Sequence, residues 1–380
     1  MQQGMLFHSA YVAEAGLYLE QLQLTLNGTL NIDAFQRAWQ QLIDRHEVLR
    51  TCFIWQRDQP LQVVLKQVTL PWHSDDWQHL SAEAQPLALQ SWLRRDRQTG
   101  FEITQAPLMR CQLMLLGKQR YQFIWTHHHA LLDGWSLPLL LEDLIALYRA
   151  NCQGQPGPLS HRRPYQTYVA WLQQQDRQPL KAYWQQTLQG FQGPTPLPTH
   201  AATRQPSSSA IAEPQTHTHL LSTELTARLQ TWLRQQRLSL ATLIYGAWGI
   251  LLSRYSGEAD VVVGITVSGR SVPLAGIEDM VGLFINTLPL RMTLLARAAC
   301  GAFLKQIQQT LQDLQAHSYL PQVEIQSLSD VAAGQSLFQT LVVIENFATA
   351  QSFDLEQAGL PIAAMAVRAR TSYPLVLAVV

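Results

Sequence analysis

The feature that most constrains the fold is a run of three histidines between a strand pattern and a helix pattern. Residues 121–126 have the composition of a buried strand, and residues 137–150 have the apolar spacing of a helix. Between them lie His127, His128 and His129, and the pair Asp133 and Gly134 follows. Because an Asp-Gly pair favours a tight turn, the chain is expected to pass from strand to helix here. This unit predicts an α/β protein with histidines at a strand end.

Three adjacent histidines suit a cleft better than a plain core, because each buried imidazole needs partners for two ring nitrogens. If the strand geometry continues, His127 and His129 share one face and His128 takes the other. A histidine at a strand end is well placed to act as a base. The alternative is a metal site, with His127, His129 and Asp133 as ligands. No other residues have ligand spacing, so we expect no metal.

Composition excludes several classes of function. The 27 basic residues balance the 27 acidic ones, so no overall field attracts nucleic acid or an anionic membrane. The four cysteines lie far apart, at positions 52, 111, 152 and 300, which favours neither a zinc site nor a disulfide framework. A reduced, cytoplasmic location is the simplest interpretation. The N-terminus has no targeting pattern, and no apolar stretch is long enough to span a bilayer.

The order of patterns along the chain predicts two mixed lobes joined by a linker. We expect an N-terminal lobe over residues 1–180, a connection rich in proline and serine over 181–218, and a C-terminal lobe over 219–380. Helix caps are predicted at Asn31, Ser136, Ser222 and Ser239. Buried strands are predicted over residues 260–267 and 340–344, and an amphipathic helix over 298–317.

The last residues, 373–380, have the pattern of a strand with no turn after it. An apolar strand left at a chain end exposes its edge. The sequence alone therefore suggests a fragment of a longer polypeptide.

The pattern His-His-x-x-x-Asp-Gly at residues 128–134 resembles the active-site motif of the condensation domains of nonribosomal peptide synthetases. Wax-ester synthases and some polyketide-associated acyltransferases share this pattern, so other segments decide. Further segments similar to family blocks occur in family order at residues 45–53, 165–171, 267–270, 281–291, 337–340 and 345–347. The resemblance covers nearly all of the chain. It is weakest at residues 317–324, and the start of the first block and the last part of the domain are missing.

The resemblance implies two lobes with the chloramphenicol acetyltransferase-like fold, each a mixed sheet with flanking helices, which form a V-shaped pseudo-dimer. His129 is the catalytic candidate, and His128, Asp133 and Gly134 belong to the same motif. The family aspartate pairs with an arginine, so Asp133 is expected to meet Arg270 across the two lobes. The resemblance also suggests supporting roles for Asn286, Trp135, Ser136, Arg45 and Tyr165, although ordinary structural roles explain several of these as well.

The implied reaction joins two acyl groups by an amide bond. Both substrates arrive as thioesters on the phosphopantetheine arms of upstream and downstream peptidyl carrier domains, with an adenylation domain adjacent in a larger polypeptide. No directly bound cofactor, nucleic acid or membrane is expected. The residues around the motif are similar to the subtype that accepts an L-configured donor. Two alternatives stay open: a non-catalytic module that recruits a partner, and a small-molecule acyltransferase that uses coenzyme A.

Overall fold

The computed structural model describes residues 2–11, 16–56, 59–155, 157–197, 215–295, 299–332, 334–345 and 359–380. The chain divides into two compact units, each built from several segments. Unit 1 comprises residues 1–175, 268–286 and 346–372, and unit 2 comprises residues 176–267, 287–345 and 373–380.

Strands and helices alternate along the described chain. The strands are β1 (Leu19–Asn27), β2 (Thr51–Gln56), β3 (Gln59–Val64), β4 (Trp72–Asp76), β5 (Met109–Gly117), β6 (Arg120–His128), β7 (Asp260–Val267), β8 (Asn286–Thr293), β9 (Thr340–Ile344), β10 (Ile362–Arg368) and β11 (Leu375–Val379). The helices are α1 (Gln2–Tyr11), α2 (Ile32–Arg45), α3 (Ala84–Thr99), α4 (Ser136–Gln153), α5 (Gln166–Gln173), α6 (Gln178–Leu188), α7 (Thr223–Gln236), α8 (Leu240–Ser256), α9 (Cys300–Ala316) and α10 (Gln322–Ser327). The strands predicted at 260–267 and 340–344 are therefore confirmed.

Unit 1 is built on a mixed five-stranded sheet in the order β10-β1-β6-β5-β4. Strand β6 is antiparallel to both β1 and β5, whereas β4 runs parallel to β5. Helix α2 buries Phe35 and Trp39 against the sheet, where their rings lie 5.0 Å from Phe123 and Trp125, respectively. Aromatic pairs of this kind add to the free energy of burial. The core thus fixes the strand that ends in the histidines.

Unit 2 has its own core and a four-stranded sheet in the order β11-β9-β7-β8. Strand β9 pairs in parallel with both β7 and β11. Strand β7 is the near-continuous run of valine and isoleucine that is typical of a buried parallel strand. Together the two units confirm the predicted mixed α/β class, with a mixed or parallel sheet and packed helices in each.

Three of the four predicted helix caps are confirmed. The side chains of Asn31, Ser222 and Ser239 each accept a hydrogen bond from the backbone N–H three residues later. The prediction for Ser136 is wrong, because Ser136 is the first residue of α4. Its backbone N–H donates instead to Asp133 Oδ1 at 3.1 Å. The carboxylate of the motif therefore takes the capping role that the sequence suggested for the serine.

The division into units differs from the predicted domains of 1–180, 181–218 and 219–380. Helix α6 lies inside the predicted connection, yet its residues Leu180, Trp184 and Leu188 pack in the core of unit 2. Residues 268–286 lie in the predicted C-terminal lobe but belong to unit 1, as does β10, which pairs with β1. Part of the predicted connection, residues 198–214, lies outside the described residues. Hydrophobic periodicity finds elements but does not say which core they join.

Within the described residues, no helix is long and apolar enough to cross a membrane.

Gly264 in β7 offers a test of the packing in unit 2. A Cβ atom there would lie 2.2 Å from a ring carbon of Phe338, and Phe338 is completely buried. Because overpacking a core forces its neighbours out of place, we expect Gly264→Ala to lower the free energy of unfolding by about 1–3 kcal/mol. Hydrogen exchange of β7 and β9 peptides, followed by mass spectrometry, measures the loss.

Gly301→Ala is the matched control, because a Cβ there meets no atom within 4 Å. Gly301 lies in α9, where alanine is favoured over glycine by up to about 1 kcal/mol. Equal protection in the two variants would contradict the close packing of Phe338 on β7.

Candidate active site

The three histidines lie where β6 leaves the sheet beside β1. In the antiparallel register His127 lies opposite Glu20 and His128 opposite Leu19. The strand geometry continues one residue further, since the N–H of His129 donates to the carbonyl of Tyr18 at 2.8 Å. Both His127 and His129 approach Glu20 on one face. The predicted alternation of faces is therefore present.

His128 is a buried, neutral histidine that holds its own loop. Its Nδ1 accepts a hydrogen bond from the N–H of Ala130 at 3.1 Å, so in the neutral ring the proton is on Nε2. Burial, helped by the neighbouring His129 and His127, lowers the pKa of His128 to about 3. A direct chemical role is not favoured by this environment.

His127 is buried between the sheet and the carboxylate of Glu20. Its ring lies 4.4 Å from that of Trp125, centroid to centroid, and its Nε2 lies 3.5 Å from Glu20 Oε2. Burial lowers the pKa of His127 to about 4, although the charge of Glu20 acts in the opposite direction. His127 thus lines the site as a neutral ring.

His129 is the most accessible of the three, with 18% of its side chain exposed. Its Nδ1 lies 2.9 Å from the carbonyl oxygen of Leu132. A carbonyl oxygen can only accept, so Nδ1 carries the proton and donates it. The neutral ring then has its lone pair on Nε2, which leaves that atom as the acceptor. This arrangement is the one that a general base requires.

Asp133 is completely buried, and its carboxylate is fully engaged. Its Oδ1 accepts from the guanidinium of Arg270 at 3.1 Å and from the N–H and hydroxyl of Ser136 at 3.1 and 3.0 Å. Its Oδ2 accepts from the N–H of Phe284 at 2.9 Å. In the described part of the chain none of these partners is His129. Asp133 is therefore placed to fix the loop and not to orient the imidazole.

The expected pairing of Asp133 with Arg270 is present, but both residues lie in unit 1. It was expected across the two lobes because Arg270 stands far along the chain. The guanidinium also donates to the carbonyls of Ile277 and Met280 at 2.7 and 2.9 Å and lies 4.1 Å above the ring of Phe284. Arg270 therefore ties residues 268–286 to the motif loop.

Gly282 brings this segment into close contact with the motif. Its N–H donates to the hydroxyl oxygen of Ser136 at 3.0 Å, and its carbonyl accepts from the N–H of Asp133 at 3.1 Å. A Cβ at Gly282 would lie 2.1 Å from a ring carbon of Tyr165. The hydroxyl of Tyr165 donates to the carbonyl of Leu283 at 2.6 Å, and burial raises the pKa of Tyr165 well above its usual value. Tyr165 is thus a framework residue of the site.

The remaining predicted site residues take different positions. Gly134 is half-buried, and its carbonyl accepts from the N–H of Leu137 at 3.3 Å. Trp135 is 38% exposed beside the start of α4, whereas Asn286 is buried. Arg45 belongs to another cluster, where it donates to Asp143 Oδ2 at 2.9 Å.

The cluster around Asp143 is a buried charge network. His46 and Arg162 lie within 2.9 and 3.1 Å of its carboxylate oxygens. Burial alone raises the pKa of Asp143, but hydrogen bonds from His46, Arg162 and Arg45 outweigh it and lower the pKa to about 2. A network of this kind holds α2 and α4 together, so the structure gives Arg45 the role of a structural residue.

Glu20 is the functional candidate that sequence reasoning missed. Its carboxylate lies 3.5 Å from ring nitrogens of both His127 and His129. Glu20 stands about a hundred residues before the motif, and only the pairing of β1 with β6 brings it there. The alternation of Leu22, Leu24 and Leu26 placed β1 on a sheet but not next to β6. Among the described residues no group of three or more histidine, cysteine or acidic side chains is arranged to hold a metal ion.

Comparison with known proteins identifies the family. The model of the Condensation domain family matches residues 1–380. The chain belongs to the condensation domain family. It is 42% identical over 99% of its length to a linear gramicidin synthase of Brevibacillus parabrevis, and 39% identical over 96% to chondramide synthase of Chondromyces crocatus. It spans only 7% and 9%, respectively, of those two synthases.

Solved condensation domains share the fold. The first condensation domain of the calcium-dependent antibiotic synthetase matches with a TM-score of 0.75 at 22% identity, covering 97% of this chain and 82% of that one. The starter condensation domain of rhizomide synthetase matches with a TM-score of 0.73 at 22% identity, covering 99% and 85%. The expected chloramphenicol acetyltransferase-like fold is confirmed. The condensation domain is the amide-bond-forming acyltransferase of nonribosomal peptide synthetases, which confirms the expected class of enzyme.

Removing the buried carboxylate tests the Asp133 cluster. Asp133→Ala leaves the guanidinium of Arg270 without its ionic partner, because 0% of the Asp133 side chain and 9% of that of Arg270 is exposed. Breaking one partner of a buried pair costs about 3–5 kcal/mol, so we expect faster hydrogen exchange in residues 268–286. Asp44→Ala is the control, since Asp44 makes an exposed contact with Gln40. Unchanged exchange in Asp133→Ala would contradict the anchoring role.

The buried histidines predict that unit 1 loses stability in acid. The folded pKa of His128, about 3, lies below the unfolded value of 6.5. Its contribution is therefore complete above pH 6.5 and falls as the pH drops towards 3, by about 1.4 kcal/mol per pH unit. His127 acts in the same direction down to about pH 4.

We expect His128→Gln to flatten this dependence by about 1 kcal/mol per pH unit between pH 6 and 4. The side-chain oxygen of the introduced glutamine can still accept from the N–H of Ala130, and the amide does not titrate. Urea unfolding of both proteins at several pH values measures the slopes, and their agreement above pH 7.5 is the internal control. Equal slopes in acid would show that His128 is not held neutral.

Proposed function

We propose that His129 of this condensation domain accepts the proton of the acceptor amine while the amine attacks a donor thioester. The observation that carries the proposal is the hydrogen bond from His129 Nδ1 to the carbonyl oxygen of Leu132 at 2.9 Å. It assigns the proton to Nδ1 and the lone pair to Nε2. His128 and Asp133 then support the loop and do not touch the substrate.

In the proposed reaction the amine nitrogen bonds to the thioester carbonyl carbon. The C–S bond breaks, and the donor leaves as a thiol. The proton released by the amine is held at His129 Nε2 and passes to the departing sulfur, so atoms and charges balance. Much of the acceleration comes from holding both substrates in place. A covalent acyl-enzyme is not required.

The partners are proposed from the relatives, which are large synthetases that this chain spans only in small part. We infer that donor and acceptor are acyl groups carried as thioesters on the phosphopantetheine arms of upstream and downstream carrier domains. An adenylation domain adjacent in the same polypeptide, a cytoplasmic location and an L-configured donor are part of this proposal. The likeness of residues 128–136 and 284–289 to that donor subtype supports the last point.

His129→Ala tests the proposal. We expect the rate of amide formation to fall by about two to four orders of magnitude, the usual contribution of a general base. Transfer between loaded carrier proteins in a single turnover, within the polypeptide that contains this chain, is the measurement. His161→Ala is the control, because His161 is exposed and lies outside the motif.

The outcome also separates the two alternatives. A wild-type rate in His129→Ala would overturn the assignment of His129. The absence of any transfer by the wild-type chain would favour a non-catalytic recruiting module. Transfer from a coenzyme A thioester to a free small amine, faster than between carriers, would favour a small-molecule acyltransferase.

A further inference from the structure

Glu20 lies on β1, in register with His127 on β6. Its two carboxylate oxygens are divided between two histidines. Oε1 lies 3.5 Å from Nδ1 of His129, and Oε2 lies 3.5 Å from Nε2 of His127. Only 16% of the Glu20 side chain is exposed. The carboxylate is therefore a largely desolvated charge at the back of the proposed base.

We propose that Glu20 is the positioning residue of His129, held in turn by His127, and that its charge stabilises the imidazolium that forms when His129 takes the proton of the amine. This inference rests on the proposed function of His129. It extends the site from the motif loop to the neighbouring strand.

The chemistry of the three groups fixes where the protons are. A carboxylate only accepts, so a favourable contact with His127 requires a proton on its Nε2. His127 Nδ1 then has no proton, and it has no hydrogen-bond partner within the described part of the chain. The pKa of about 4 keeps His127 neutral at pH 7. A neutral N–H donor orients the carboxylate without cancelling its charge.

The contact with His129 acts on the same nitrogen that donates to Leu132. The N–H at Nδ1 points to a carbonyl oxygen at 2.9 Å, and the carboxylate lies 3.5 Å from the same nitrogen. Two acceptors on one side of the ring favour the Nδ1–H form over the Nε2–H form. The first supplies the hydrogen bond, and the second supplies a negative charge. Because the attraction of opposite charges strengthens when water is excluded, the effect of Glu20 is greatest once His129 becomes protonated.

Glu20→Gln removes the charge and keeps the shape. We expect kcat for amide formation to fall about tenfold to a hundredfold, as when a residue that orients an imidazole is removed, with the KM for the acceptor within about twofold. Glu20→Asp retains the charge and is expected to recover part of the rate. Glu258→Gln, an exposed glutamate after α8, is the matched control and keeps the wild-type kcat.

A second readout depends on the position of the proton alone. In protein labelled with ¹⁵N-histidine, the imidazole nitrogen shifts report which nitrogen carries the proton, and His129→Ala and His127→Gln assign the signals. We expect Nδ1–H for His129 and Nε2–H for His127 in the wild type, and a larger share of Nε2–H at His129 in Glu20→Gln. The wild-type spectrum decides even if a variant fails to fold.

The outcomes separate this inference from the proposed function. Loss of activity in His129→Ala with a wild-type kcat in Glu20→Gln would overturn the role of Glu20 alone. An Nε2–H form of His129 in the wild type would overturn it as well. A wild-type rate in His129→Ala would instead overturn the role of His129, and with it the basis for Glu20.

Discussion

The buried carboxylate of Asp133 is the interaction on which the candidate site depends. A charge that is completely removed from water must be paired and hydrogen-bonded, and Asp133 has an arginine, a serine and two backbone contacts around it. Two of these partners, Arg270 and Phe284, stand about 140–150 residues further along the chain. The carboxylate therefore commits residues 268–286 to unit 1. The same contacts fix the loop that begins at His129.

The division of roles among the three histidines follows from the pleat of β6 and from the depth of each ring. His128 faces one side of the sheet and is neutral because it is buried. His127 faces the other side and meets Glu20. His129 stands at the point where the strand ends, which is why it combines a fixed ring with partial exposure. A base needs both properties, because it must be oriented and must also reach its substrate.

Much of the fold and part of the site could be predicted from the sequence, because the signals are local. Periodicity located β7 and β9 and the apolar face of α2, and cap chemistry located three helix starts. What could not be predicted depends on contacts that are distant in the chain. The capping role of Asp133, the place of α6 in unit 2 and the position of Glu20 beside the histidines all require the tertiary structure. Residue types alone do not say which strands are neighbours.

The spacing of the motif has a physical explanation in this geometry. Nδ1 of His129 donates to the carbonyl of Leu132, the residue immediately before Asp133. The N–H of Leu131 donates to the carbonyl of His128, and the N–H of Ser136 to that of Asp133. Three residues thus form the turn that both orients the ring and delivers the carboxylate to Arg270. One residue more or fewer would separate the ring from its carbonyl partner or the carboxylate from its pocket. The sequence pattern is therefore the trace of two constraints, a tautomer and a buried charge, that must be met within one short loop.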